Sequence, residues 1–385
     1  MTQRALIFIL AIGIITTLAF LFLPKASPAP TEQADQGETS LGTSSPPEIH
    51  AKTGTVSVIA ENLEIPWDIA FLPEGEMLVT ERPGRLLLLD KKGERKNIEI
   101  SDSVLHRGEG GLLGITLHPQ FKDNHLLYLY FTAPGKETQL QNRIERYRFV
   151  DDTLRERTII IDDIPGAQYH DGGRMEFGPD GLLYVTTGDA TIGKLAQDRN
   201  SLAGKILRLK DDGSIPSQNP FGTAVYSYGH RNPQGLAWDN AGRLWETEHG
   251  PTGEQGLCCR DEINLIAVGA NYGWPEIQGD ETRTGMVSPT FQSGADDTWA
   301  PASATYLDGG LYFGGLRGEA LYEAVLNGER VVELKEYFKG EFGRIRTVRV
   351  GPDGMLYLTT SNRDGRGDPR PGDDKIIRVN PKMLP

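Results

Sequence analysis

From Thr53 onward, apolar and polar positions alternate with a period of two, in paired runs separated by short turns. The clearest copy is Met175 to Thr187, MEFGPDGLLYVTT, and a second is Val348 to Thr360, VRVGPDGMLYLTT. Looser copies run over Ile69–Thr80, Ile115–Tyr130, Leu236–Thr247 and Ala304–Gly315. Period-two alternation puts apolar side chains on one face of a strand. Pro-Asp-Gly presets the turn, since Pro fixes φ and Gly tolerates positive φ. Each copy therefore predicts a β-hairpin.

The six hairpins start roughly 45 to 70 residues apart, the length of a four-stranded propeller blade with its loops. Further strands are expected at Arg85–Leu89, Ile144–Phe149 and Ile376–Val379. The pattern predicts an all-β chain: a six-bladed β-propeller of four-stranded antiparallel blades over residues 53–385, with function at one mouth of its channel. A pair of β-sandwiches would account for the strands but not for the recurring hairpin.

The first residues break the pattern. Arg4 is followed by an uncharged apolar run, Ala5 to Leu23, which predicts a signal peptide or a membrane anchor over residues 1–24. Residues 25–52 are rich in Pro, Ser, Thr, Gly and Glu and read as a disordered linker. The remainder is expected to be exported, to the periplasm or the extracellular face. The net charge of −13 argues against a nucleic-acid partner, which demands a basic face. Cys258 and Cys259 are adjacent and either form a vicinal disulfide or remain thiols.

Chemistry concentrates between Tyr226 and Pro275, where histidines, arginines, carboxylates and aromatics share a stretch punctuated by Gly and Pro. Arg231, in GHRNPQG, suits planar oxyanions. Glu248-His249-Gly250-Pro251 and Asp261-Glu262 are acidic and loop-rich, which favours a hard cation bound by oxygens; carbonyls of Asn271–Pro275 could close such a site. Upstream, His170 lies among glycines before the best hairpin and is a candidate general base. Asp189, at the end of that hairpin, is placed to orient it. Pro66-Trp67-Asp68 reads as packing. The run Gly108–Gly114 lacks the features of a nucleotide loop, and Glu109 within it is expected near the channel. Arg317, Arg344 and Arg346 follow separate strands, as a polyanionic cofactor would need.

Taken together, IPWDIAFLP, EGGLLGITLHPQF, the His170–Arg174 loop, GHRNPQGLAW, EHGPTG, DEINLI and NYGWP resemble the soluble quinoprotein aldose sugar dehydrogenases of the glucose/sorbosone dehydrogenase family, over about Val58 to Val379. The resemblance implies pyrroloquinoline quinone (PQQ) and calcium as cofactors and oxidation of the aldose C1 hydroxyl to a lactone. It implies that His170 takes the hydroxyl proton while hydride passes to C5 of the quinone, that Asp189 supports His170, and that Arg231 stabilises developing negative charge beside Asn232. Gly250 and Pro251 would offer carbonyls to the calcium that polarises the quinone. Arg317, Arg344 and Arg346 would hold the PQQ carboxylates, and Glu262 with the Tyr272 carbonyl would bind a second, structural calcium.

The sequence departs from the family pattern in places. Glu109 stands where some relatives have glutamine, Tyr169 where some have aspartate, and Arg317 where some have lysine. The first two would line the substrate mouth. The electron acceptor is expected to be soluble or in the membrane, with the N-terminus as a possible tether. Two other readings stay open: a metal-dependent lactonase, which would need carboxylate or amide ligands at the channel and no arginine cluster, and a non-catalytic binding propeller.

Overall fold

The computed structural model describes residues 54–385 except 101–102, 137–138 and 254–256. The expected N-terminal targeting segment and linker lie outside the described residues. Among the described residues, no helix is long and apolar enough to cross a membrane.

Six four-stranded antiparallel sheets form a closed ring: a six-bladed β-propeller. Blade one spans Pro66–Ile98, blade two Leu112–Gly166, blade three Met175–Tyr228, blade four Pro233–Gln292 and blade five Pro301–Tyr337. Blade six takes three strands from Ile345–Val379 and its fourth, Val56–Ala60, from the beginning of the described chain. That last strand pairs Val56 with Val379 and Val58 with Ile377, so the two ends of the domain are joined by a β-ladder.

All six hairpins read from the sequence are the first and second strands of the six blades. The Pro-Asp-Gly turns require the left-handed region, and Gly181 and Gly354 adopt φ of 74° and 72°. Successive first strands contact one another around the ring, so they are innermost. Because strand side chains alternate between faces, each blade feeds two packing layers. The apolar core accordingly divides into six clusters, each between neighbouring blades, such as Leu78, Leu88, Leu127 and Leu129 between blades one and two. Each fully buried leucine contributes about 1.5–3 kcal/mol.

Asp68 is structural, as its Pro-Trp-Asp setting suggested. It is fully buried on the inner strand of blade one, 2.6 Å from Arg174 of blade three and 3.1 Å from Arg349 of blade six. Burial alone would raise its pKa, but the two guanidiniums hold it below the ordinary value. This cluster ties three blades together.

The strand order fixes where function can gather. In an antiparallel meander, the start of the first strand and the end of the second lie at the same mouth. The loops before each first strand and after each second strand therefore converge there.

Candidate active site

His170 lies in the loop before blade three, and Asp189 follows that blade's second strand. His170 Nδ1 is 2.8 Å from Asp189 Oδ1. Asp189, buried, also accepts from Thr191 N at 2.7 Å and from the Trp274 indole N–H at 2.7 Å. A carboxylate at Nδ1 keeps the proton there, so the basic lone pair is that of Nε2. His170 adopts φ of 64°, a conformation unusual outside glycine. The backbone is held there from both sides. Its N–H donates to Glu109 Oε2 at 3.0 Å, and its carbonyl accepts from Ala190 N at 3.3 Å.

Arg231 and Asn232, in the loop before blade four, are buried. Arg231 Nη1 donates to the His249 carbonyl at 3.2 Å, and its guanidinium lies 5.4 Å over the Trp274 ring. Trp274 thus touches both the His–Asp couple and Arg231. Asn232 Oδ1 accepts from Gly172 N and Gln234 Nε2, while its own NH2 is buried without a partner.

Arg344 and Arg346, entering and on the first strand of blade six, are both buried. Arg344 pairs with Asp364 at 2.8 Å and donates to the Leu316 carbonyl. Arg346 donates to Gln234 Oε1 at 3.0 Å, and its Nε has no partner. Arg82, buried after the second strand of blade one, joins them. Burial, with Arg82 and Arg344 nearby, pushes the Arg346 pKa down to about 9. Three buried guanidiniums share few carboxylates, and two amide or guanidinium donors lack acceptors: this is a cradle for a polyanion. Arg317 sits at the same mouth, one residue beyond the carbonyl that holds Arg344, with its side chain exposed.

Gly250 and Pro251 are buried beside this cradle. A Cβ at Gly250 would lie 1.8 Å from the Cys259 carbonyl, so only glycine fits. Asp261 pins this loop rather than facing the channel. One oxygen accepts from Gly250 N, the other from Thr298 Oγ1, Trp299 N and Ala300 N. Cys258 and Cys259 are disulfide-bonded on the same loop.

Behind it, Glu246, Glu248 and Glu262 are buried together. Burial above all raises the three carboxyl groups above the ordinary range, helped by Glu248 and Glu262 at Glu246, by Asp189 at Glu248, and by Glu248 at Glu262. Asn264 donates to Glu246 and Glu262, yet Glu246 Oε1 has no partner. His230, kept neutral by burial with its pKa pushed down to about 3, lies 3.1 Å from Glu248 and stacks on Tyr272. A void of about 10 Å³ between Glu248, Glu262, Tyr272 and Gln278 is at the lower limit for one water-sized or ion-sized occupant. Carboxyl oxygens that burial keeps from ionising would lose their protons to a hard divalent cation bound among them, although the Arg231 guanidinium also lines this void.

A cleft of about 730 Å³ opens above His170, between Tyr169, Asp189, Lys194, Leu257, Trp274 and Gln278. Glu109 stands at its side, bonded through Oε1 to Arg366 of blade six at 2.6 Å. Burial would raise the Glu109 pKa, but Arg366 above all holds it down to about 2, so it is a fixed anion.

The structure thus brings His170, Asp189, Arg231, Asn232, Glu109, Gly250, Arg344 and Arg346 to one mouth. Glu262 and Tyr272 lie one layer behind. The sequence reading missed Arg82, Asp364, Arg366 and the tie from Trp274 to Asp189. A signal for Arg82 existed: aligning the repeats puts Arg82, Asp189, His249 and Asn362 just after the second strands of their blades, hence at the mouth.

Residues 63–367 match the model of the glucose/sorbosone dehydrogenase family. The chain belongs to that family. It is 31% identical over 367 residues to the aldose sugar dehydrogenase YliI of Escherichia coli, covering 86% of this chain and 94% of that protein. It is 33% identical over 273 residues to quinoprotein glucose dehydrogenase B of Acinetobacter calcoaceticus, covering 62% and 56%. Among solved structures, the PQQ-bound aldose sugar dehydrogenase of Streptomyces coelicolor superposes with a TM-score of 0.78 at 40% identity, covering 85% of this chain and 98% of that one.

Proposed function

We propose that this sugar dehydrogenase of the glucose/sorbosone dehydrogenase family oxidises the C1 hydroxyl of aldoses to lactones, with PQQ and calcium as its cofactors. The observation that carries the reading is the His170–Asp189 couple, 2.8 Å apart, beside a buried arginine cluster with donors to spare.

The residues present fit both groups. Arg344, Arg346 and Asn232 would hold the carboxylates of PQQ, with exposed Arg317 reaching from the rim and Arg231 beside the quinone oxygens. The carbonyls of Gly250 and Pro251 would hold the calcium that contacts PQQ, and Glu262, Glu248 and the Tyr272 carbonyl a second one. When bound, PQQ supplies the two-electron acceptor for the C1 hydride, and calcium the Lewis acid that polarises it.

His170 Nε2 takes the proton of the C1 hydroxyl. Asp189 keeps the ring in the required tautomer and stabilises the imidazolium, while Trp274 and Thr191 keep the carboxylate still. Arg231, fixed by the His249 carbonyl and Trp274, places positive charge where negative charge develops. Glu109 and Ala190 hold the His170 backbone in its left-handed conformation. The arginine cluster tells against the lactonase reading, and the His–Asp couple would be idle in a binding propeller. Export and an electron acceptor at or near the membrane complete the proposal.

The test is dye reduction by residues from about Thr53 onward with added calcium, PQQ and a panel of aldoses. Sugar-dependent reduction that requires both additions is expected. Failure to bind PQQ in the presence of calcium would overturn the assignment.

A further inference from the structure

The hydrogen-bonding capacity around the cleft is unevenly spent. Among the described residues that line it, Asp189 is the one carboxylate and Lys194 the one cation. Asp189 already accepts from His170, Thr191 and Trp274. Glu109, at the side, has one oxygen on His170 N and the other on Arg366. Both carboxylates are therefore engaged by protein donors and have little to offer a sugar hydroxyl.

The cations are not so engaged. Arg366 spends Nη1 on Glu109, and the rest of its side chain is half exposed, lying 5.3 Å over the Tyr169 ring that forms the rim of the cleft. Its position is set at both ends, because its backbone N–H is also held by Asp364 at 2.9 Å. Lys194 is exposed on the short helix Lys194–Gln197. A half-exposed planar guanidinium beside an aromatic face, with one nitrogen spent on Glu109, matches a carboxylate ligand better than a hydroxyl.

We infer that the cleft prefers aldoses bearing a carboxylate, of the hexuronate class, over neutral aldoses. Arg366 is the specificity-determining residue and Lys194 a second cation for the same group. In a hexopyranuronate C1 and the carboxylate-bearing C5 both flank the ring oxygen, so the carboxylate projects from the same edge as the reacting hydroxyl. With that hydroxyl at His170 the carboxylate meets cations close by, and Arg366 is joined to the His170 backbone through Glu109. The net charge of −13 opposes an anionic substrate only at long range, since salt screens exposed charges beyond about 8 Å at physiological ionic strength. This inference rests on the dehydrogenase function proposed above.

The experiment compares kcat/KM of the PQQ- and calcium-loaded enzyme for glucuronate against glucose, and for galacturonate against galactose, at low and high salt. A preference for the uronates of about tenfold or more, carried by KM and reduced by salt, is expected. Arg366→Gln should erase or reverse the ratio, and Lys194→Gln should lower it severalfold. Neutral sugars oxidised as well as or better than uronates by the unmodified enzyme would overturn the inference while leaving the dehydrogenase standing. So would a ratio unchanged in Arg366→Gln. If PQQ binds and neither kind of sugar is oxidised, both readings fail together, and the absent glucose turnover identifies that outcome.

Discussion

His170 Nδ1 stands 2.8 Å from Asp189 Oδ1, although one residue precedes the inner hairpin of blade three and the other follows it. The strands between them are largely buried and hydrogen-bonded within the blade, so the couple is held by the blade itself. Asp189→Asn should favour the wrong tautomer and lower kcat by about 10²–10⁴-fold, and His170→Ala should do at least as much. Neither side chain is part of the arginine cradle, so PQQ affinity should change little. Single-turnover dye reduction alongside PQQ titration would separate the two effects. A His170→Ala enzyme with near-normal turnover would remove the base assignment.

Arg346 is a buried cation whose Nε lacks a partner and whose charged neighbours are Arg82 and Arg344 as well as Asp364 and Glu109. On the function proposed above it would be a burden in the cofactor-free protein and an anchor once a polyanion binds. Arg346→Gln should therefore weaken PQQ binding by about 10- to 100-fold, the range for a hydrogen bond to a charged group. The cofactor-free variant should unfold at a denaturant midpoint no lower than the parent's. A matching loss of stability would show that Arg346 serves the fold instead.

Three buried glutamates, with few donors among them, should hold calcium tightly. Chelation should lower the melting temperature by several degrees, as follows from losing a ligand that binds only the folded state. Glu262→Gln should abolish most of the calcium-dependent shift. Differential scanning calorimetry with EGTA and with calcium is the check, and equal melting temperatures in the two would remove the structural site.

Asp171, next to His170 in sequence, is buried against blade two, where it accepts from Asn142. Burial pushes its pKa up to about 7, despite hydrogen bonds from Asn142 and the Ala167 N–H. The folded state thus holds this proton more tightly than the unfolded one. The associated stability is fully present below the ordinary pKa of 3.8 and is lost as pH rises through about 7. In calcium-saturated protein, urea midpoints should fall between pH 5 and 8, and Asp171→Asn should flatten that fall. Identical pH profiles would mean that Asp171 ionises freely in the fold.

Much of this was legible before any coordinates. The hairpins could be read because Pro-Asp-Gly turns and strict alternation are local signals, and all six became the inner strands. The outer strands were harder. Arg330–Tyr337 and the start of Thr153–Gly166 are largely exposed, so no alternation marks them. His170 and Arg231 could be found because Gly and Pro announce their loops. Arg366 could not, since its partner Glu109 lies 257 residues away and the two meet only when the ring closes. Arg82 sat unnoticed after an ordinary strand, and only its equivalence to Asp189 in the repeat gives it meaning.

The ladder between Val56–Ala60 and Ile376–Val379 also sets an order of events. Blade six cannot be completed until the last strand has left the ribosome. Arg344 and Arg346 are carried by that blade, so the anion cradle matures at the end as well. A propeller built this way completes that cradle only once the strands from Val56 to Val379 are all present. A chain cut short at either end would lose the clasp of the same blade, and with it the part of the mouth that faces His170.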